Sequence, residues 1–206
     1  MIKNLFFNWE EVVKKCIDLT YEYLKENPKT WTEKKKQITR ENISYKIQQF
    51  LFKDDFRIKP PGTIPDELVA DMLEEICGMD SRLRTSQQKA YNQQKQIEMK
   101  MGFLLELYVL SNSFEFGWVQ TGDCIRGVDM LKKTEDGSWF ELQIKNSNNT
   151  TNSSSAGFIK GKAIIWHRRN AMQGNDNWNY FPDENVKKKI SENGFKKFLI
   201  NHFSIE

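Results

Sequence analysis

Two short stretches carry the residues best suited to chemistry. Gly127-Val128-Asp129 is followed, across a turn signal at Asp136-Gly137, by Phe140-Glu141-Leu142-Gln143-Ile144-Lys145. Successive side chains of a strand alternate between faces, so Glu141, Gln143 and Lys145 share one face and Phe140, Leu142 and Ile144 the other. The apolar set anchors the polar row. A hairpin through Asp136-Gly137 brings Asp129 beside that row and groups a carboxylate, an amide oxygen and an ammonium at one end of a sheet. This grouping suits hydrolysis of a phosphodiester. Asp129 would bind Mg²⁺, a hard cation preferring oxygen ligands, and the metal would polarise a phosphate oxygen and acidify the attacking water. Lys145 would stabilise charge on the phosphate or help position and deprotonate the water. Gln143 would offer a neutral oxygen ligand or orient water, with the missing negative charge coming from Glu106 or Glu141.

The elements that must hold these residues are legible from periodicity. Apolar positions near a 3.6-residue repeat predict helices over 9–24 and 34–52, and Lys59-Pro60-Pro61-Gly62 ends the second. Ile64-Pro65-Asp66-Glu67 opens a short helix toward Ile76. Residues 87–110 predict a long helix whose second half is too apolar to be exposed, which makes Glu106 a carboxylate embedded in an apolar helix and in need of a partner. Beyond Asn112 the pattern changes to short strands over 116–119, 125–132 and 138–144, separated by Thr121-Gly122 and Asp136-Gly137, with a further strand over 163–166. A polar segment, 170–182, precedes a final helix over 185–203. Helices before, between and after short strands predict an α/β domain with a central sheet covered by helices.

On Asp129, Gln143 and Lys145 the chain resembles the PD-(D/E)xK nuclease superfamily, and its setting looks like a type II restriction endonuclease. Asp129 matches the first acidic residue of that pattern, Gln143 takes the Glu position, and Lys145 matches the Lys; Val128 stands where the nominal motif has Pro. Glu106 resembles the additional acidic residue that often approaches the metal from the first core helix. The resemblance covers roughly residues 98–166. It implies a restriction-endonuclease-like core, a central mixed β-sheet flanked by helices with a helical N-terminal elaboration, and Mg²⁺-dependent cleavage of double-stranded DNA by a homodimer. It also implies a cognate DNA methyltransferase that protects host sites. A rival register uses Asp129, Glu141 and Gln143, leaving Lys145 as a phosphate contact. The alternative functions are a repair, recombination or structure-selective nuclease on the same scaffold, and a noncatalytic DNA-binding protein.

The run after Lys145 is uncharged and rich in groups that both donate and accept: Asn146, Ser147, Asn148, Asn149, Thr150, Thr151, Asn152, Ser153 and Ser154. A loop leaving the catalytic strand with this composition predicts contacts to base edges and phosphates. Lys160, Lys162, Arg168 and Arg169 follow, so residues 142–182 carry a net charge of +4 although the chain as a whole is only +3. That local excess favours DNA, with either Arg168 or Arg169 reading guanine and the other holding phosphate. His167 reads as an ordinary strand-end residue, and Trp178 and Tyr180 as loop packing rather than base stacking.

With 206 residues, 38% of them hydrophobic and 29% charged, the chain suits one folded domain. It divides into a helical dimerisation or DNA-cleft region over 1–79, a catalytic core over 80–170 and a C-terminal loop and helix over 171–206. No apolar run reaches the length of a membrane span and no signal pattern opens the chain, so a cytoplasmic location is expected. Cys16, Cys77 and Cys124 are too widely spaced for a zinc knuckle and read as core residues. No Gly-rich phosphate loop is present, which disfavours a nucleotide-driven motor.

Overall fold

A computed structural model describes residues 8–53, 71, 74–76, 78, 80–148 and 163–203. The protein has an α/β fold: a four-stranded mixed sheet flanked by helices, with helices preceding it in the chain. The helices are α1 (Trp9–Glu26), α2 (Arg40–Leu51), α3 (Arg84–Ser113), α4 (Glu184–Lys187) and α5 (Glu192–Phe203); the strands are β1 (Val119–Ile125), β2 (Val128–Lys133), β3 (Trp139–Ser147) and β4 (Ile164–Arg169). In space the strands run β1-β2-β3-β4, the first two pairings antiparallel and the third parallel. The chain forms two compact units. One comprises Met1–Asp54 with Gly102–Glu206 and contains the whole sheet; the other is Asp55–Met101. The short helix expected from Ile64 lies largely outside the described residues.

Helix α1 buries Val12, Cys16 and Leu24, and α2 buries Ile43, Ile47 and Leu51, as the periodicity requires. Helix α2 begins six residues later than the expected 34, because Thr39 adopts extended backbone and its side chain accepts the Asn42 N–H, so that it serves as the N-cap. On the opposite face of the sheet, Tyr108 of α3 and Trp166 of β4 meet Trp178 and Phe195 in an aromatic cluster. Trp178 is therefore packed as expected, whereas Tyr180 is 77% exposed. The C-terminal helix is interrupted. Asp183 caps α4 through the N–H groups of Asn185 and Val186, and Ser191 receives the Gly194 N–H to start α5. Gly194 must be glycine, since a Cβ there would lie 2.2 Å from the Tyr108 hydroxyl.

The largest departure from expectation lies in β1. Residues 114–116 form a 3₁₀ turn and the strand runs straight through Thr121-Gly122, which is not a turn. Gly122 and Asp123 both have φ of 59°, and the pairing jumps from Gln120↔Met130 to Ile125↔Val128. Four residues of β1 therefore face Asp129 alone, a β-bulge. Turn chemistry and bulge chemistry share the same residues, and the adjacent turn at Arg126-Gly127 closes the hairpin instead. Cys16 and Cys124 are buried free thiols, their pKa values pushed up to about 12 by burial; Cys77 lies outside the described residues.

Candidate active site

Asp129 sits where the sheet opens on both sides. Toward β1 it faces the bulge; toward β3 the pairing runs from Lys133↔Trp139 to Met130↔Leu142 and stops one residue short of it. In place of a backbone ladder bond, Asp129 Oδ2 accepts the Ile144 N–H at 2.6 Å. The bulge is held from outside. Thr121 Oγ1 donates to the Val128 carbonyl at 2.7 Å, and the Asp123 carbonyl accepts from Thr32 Oγ1 at 2.8 Å and Lys46 Nζ at 3.2 Å. Gly122 lies so close to α2 that a Cβ would fall 2.7 Å from Ile47 Cα.

Glu106 enters from α3, and Gln120 Nε2 donates to its Oε2 at 2.6 Å. Burial, together with the nearby Asp129 charge, holds Glu106 well above the usual carboxylate range; the Gln120 bond and the Lys145 charge oppose the shift. Burial likewise pushes Asp129 up to about 6, against the Ile144 N–H and Lys145, while the Asp123 charge adds to the rise. The Lys145 ammonium forms no hydrogen bond or ion pair among the described residues and acts on both carboxyl groups through space. Gln143 is 7% exposed, two residues before Lys145 on the same strand face. Among the described residues, no three His, Cys, Asp or Glu side chains stand close enough to hold a metal together.

Glu141, the rival acidic residue, is drawn elsewhere: it accepts the Tyr23 hydroxyl of α1 at 2.9 Å. Of these two acidic residues, Glu106 and Glu141, Glu106 is the one on which the Asp129 charge acts. Three further residues at this end of the sheet were not singled out by sequence. Gln120 and Thr121 are buried polar residues in a β-rich stretch, and Asp123 is an exposed carboxylate on the bulge; their only sequence signal, Thr-Gly-Asp, reads as a turn.

Beyond Lys145 the strand pairs Lys145↔His167 and Ser147↔Arg169 in parallel register. Burial and the Lys145 charge lower the His167 pKa. Arg168 points to the other face and is 7% exposed. Its Nε donates to Asn146 Oδ1 at 2.8 Å and its Nη1 pairs with Glu192 Oε1 at 2.5 Å. Asn148 donates its N–H to the Arg169 carbonyl and accepts the Ala171 N–H, which ties the strand end to the following turn. Asn149, Thr150, Thr151, Asn152, Ser153, Ser154, Lys160 and Lys162 lie outside the described residues.

A mixed sheet whose antiparallel hairpin opens around a carboxylate, with a second carboxylate and a lysine beside it, is an arrangement suited to hydrolytic chemistry on a phosphate. Comparison with known proteins agrees with that class. The profile of the SinI restriction endonuclease family matches residues 9–205. The chain is 31% identical over 146 residues to the type II restriction enzyme Eco47I of Escherichia coli, covering 69% of this chain and 64% of that enzyme, just under two thirds of its length. It is 30% identical over 180 residues to the type II restriction enzyme SinI of Salmonella infantis, covering 84% of this chain and 77% of that enzyme. The protein belongs to the SinI restriction endonuclease family.

Proposed function

We propose that the protein is a Mg²⁺-dependent, site-specific endonuclease that cleaves both strands of duplex DNA as a homodimer, using a variant PD-(D/E)xK site with Gln143 in the acidic position. The observation that carries this is the placement of Asp129 where the sheet opens, with its charge acting on Glu106 and the Lys145 charge acting on both carboxyl groups. Family membership supports the reaction class. Two symmetry-related sites would match two antiparallel strands, and a cognate methyltransferase would protect host DNA.

The donor set fits Mg²⁺. This cation binds through one or two carboxylates and fills its remaining positions with water and substrate phosphate oxygens. Asp129 and Glu106 supply the two carboxylates and the Gln143 amide a neutral oxygen. A partly buried carboxyl group whose proton affinity is raised by burial and by the charge of a neighbouring carboxylate is one that a divalent cation relieves. When bound, Mg²⁺ would supply polarisation of a phosphate oxygen and acidification of water. The chain's own residues do the rest. Glu106 gives up its proton as the site fills, and the Ile144 N–H keeps the Asp129 carboxylate oriented. The Lys145 ammonium, without a hydrogen-bond or ion-pair partner among the described residues, neutralises charge accumulating on the phosphate oxygens.

Asn146 to Ser154, Lys160 and Lys162 form the segment assigned to DNA contacts. Of the two arginines, Arg169 is exposed and shares the strand face of Lys145, whereas Arg168 is committed to Asn146 and Glu192. Arg169 therefore takes the DNA contact and Arg168 a structural one. The test is cleavage of plasmid DNA with Mg²⁺ by wild type and by Lys145→Met. Wild type should cut at defined sites and Lys145→Met should lose cleavage while retaining DNA binding; unchanged turnover in the variant would refute the assignment.

A further inference from the structure

Gln120 is a buried amide, 1% exposed, with both ends committed. Its Oε1 accepts the Thr121 N–H at 2.7 Å, which settles which end of the amide is nitrogen. The Nε2 end then donates to Glu106 Oε2 at 2.6 Å. Gln120 is also the last β1 residue paired to β2 before the bulge, so the strand that opens around Asp129 is the strand that anchors the amide. Among the described residues Glu106 Oε1 has no hydrogen-bond partner. One oxygen of Glu106 is thus pinned from behind and the other is left available.

We propose that Gln120 is a positioning residue for the divalent cation: it fixes the rotation of the Glu106 carboxylate so that Oε1 is presented to the metal beside Asp129. The inference deepens the nuclease assignment and rests on Glu106 being a ligand. A neutral donor suits the task better than a lysine or arginine would. A cationic partner would cancel the charge that Glu106 offers to the metal, whereas an amide N–H favours the ionised carboxylate and leaves its charge in place. Gln120 sits behind the carboxylate and touches neither substrate nor metal, so it acts only through Glu106.

That dependence makes it testable without turnover. Mn²⁺ serves as the probe, its affinity for the purified protein read by electron paramagnetic resonance for wild type, Glu106→Gln, Gln120→Met and the double variant. Glu106→Gln and Gln120→Met should each weaken Mn²⁺ roughly tenfold or more, the range for losing a group that orients a metal ligand. In the double variant, Gln120→Met should cost nothing beyond Glu106→Gln, the non-additivity of two residues acting as one unit. A purely structural Gln120 would add its loss independently, which overturns the inference. In ¹⁵N-glutamine-labelled wild type, the Gln120 side-chain amide signal should shift along a Mg²⁺ titration. That readout holds even if Gln120→Met does not fold, and a signal that stays still overturns the inference. Unchanged Mn²⁺ affinity in Glu106→Gln would instead strike at the metal role of Glu106 itself and take the inference with it. Unchanged affinity in Gln120→Met, with Glu106→Gln impaired, would remove Gln120 alone.

Discussion

Replacing Asp129 by Asn should stabilise the metal-free protein while destroying its activity. The folded state holds the Asp129 carboxyl at a pKa of about 6, against 3.8 for an unperturbed aspartate. A gap of about two pKa units corresponds to ~3 kcal/mol at roughly 1.4 kcal/mol per unit. The sign follows from proton binding: the folded state binds this proton more tightly than the unfolded chain, so ionisation opposes folding and wild-type stability falls as pH rises from about 4 to about 6. Asn never carries the charge, and its Oδ1 can still accept the Ile144 N–H. It also removes the Asp129 charge that helps raise Glu106. Against this, the Asn amide protons need partners that a carboxylate does not. The expected net gain is about 2 kcal/mol at pH 7, shrinking toward zero near pH 4. The assay is urea denaturation of both proteins in EDTA across that pH range. Adding Mg²⁺ should then stabilise wild type and leave Asp129→Asn unmoved. A variant less stable than wild type at pH 7, or a difference that ignores pH, would refute the picture of two carboxylates held under burial.

Three other outcomes are expected. Gly122→Ala should destabilise the fold by about 2 kcal/mol or more, because the added Cβ meets the Ile47 backbone at a φ of 59°, and denaturant titration will read it. Arg169→Ala should lower the salt slope of DNA binding by about 1 with the melting temperature nearly unchanged, as removal of a single phosphate contact does. Arg168→Ala should instead lower thermal stability, since it strands Glu192 and Asn146 and uncovers the Phe195 ring.

How much of this was legible in the sequence depended on whether local pattern or distant packing decided each feature. The helices over α1, α2 and α3, the β2-β3 hairpin, and the apolar and polar faces of β3 followed from periods of 3.6 and 2, and the structure places Leu142 and Ile144 in the core accordingly. Glu106 was recognisable as a carboxylate needing a partner, but its partner, Gln120, comes from another element and left no local mark. Thr121-Gly122 misled because positive φ at glycine serves turns and bulges alike, and only the approach of Ile47 across space selects the bulge. Arg168 and Arg169 are neighbours of identical type; strand alternation turns one inward to Glu192 and the other outward, and the sequence held no signal of where the strand's phase began. The final helix broke at Ser191 because a capping side chain and a glycine beneath Tyr108 outweighed a continuous apolar pattern.

The most direct test of the central claim is digestion of a sequence-diverse duplex DNA library with Mg²⁺, mapping both ends of every product, for wild type beside Asp129→Ala. A site built from Asp129, Glu106, Gln143 and Lys145 should yield breaks in both strands at one short recurring sequence, lost in the variant. A folded wild-type protein that leaves the library intact with Mg²⁺ and with Mn²⁺, or an Asp129→Ala protein that cuts as wild type does, would contradict it.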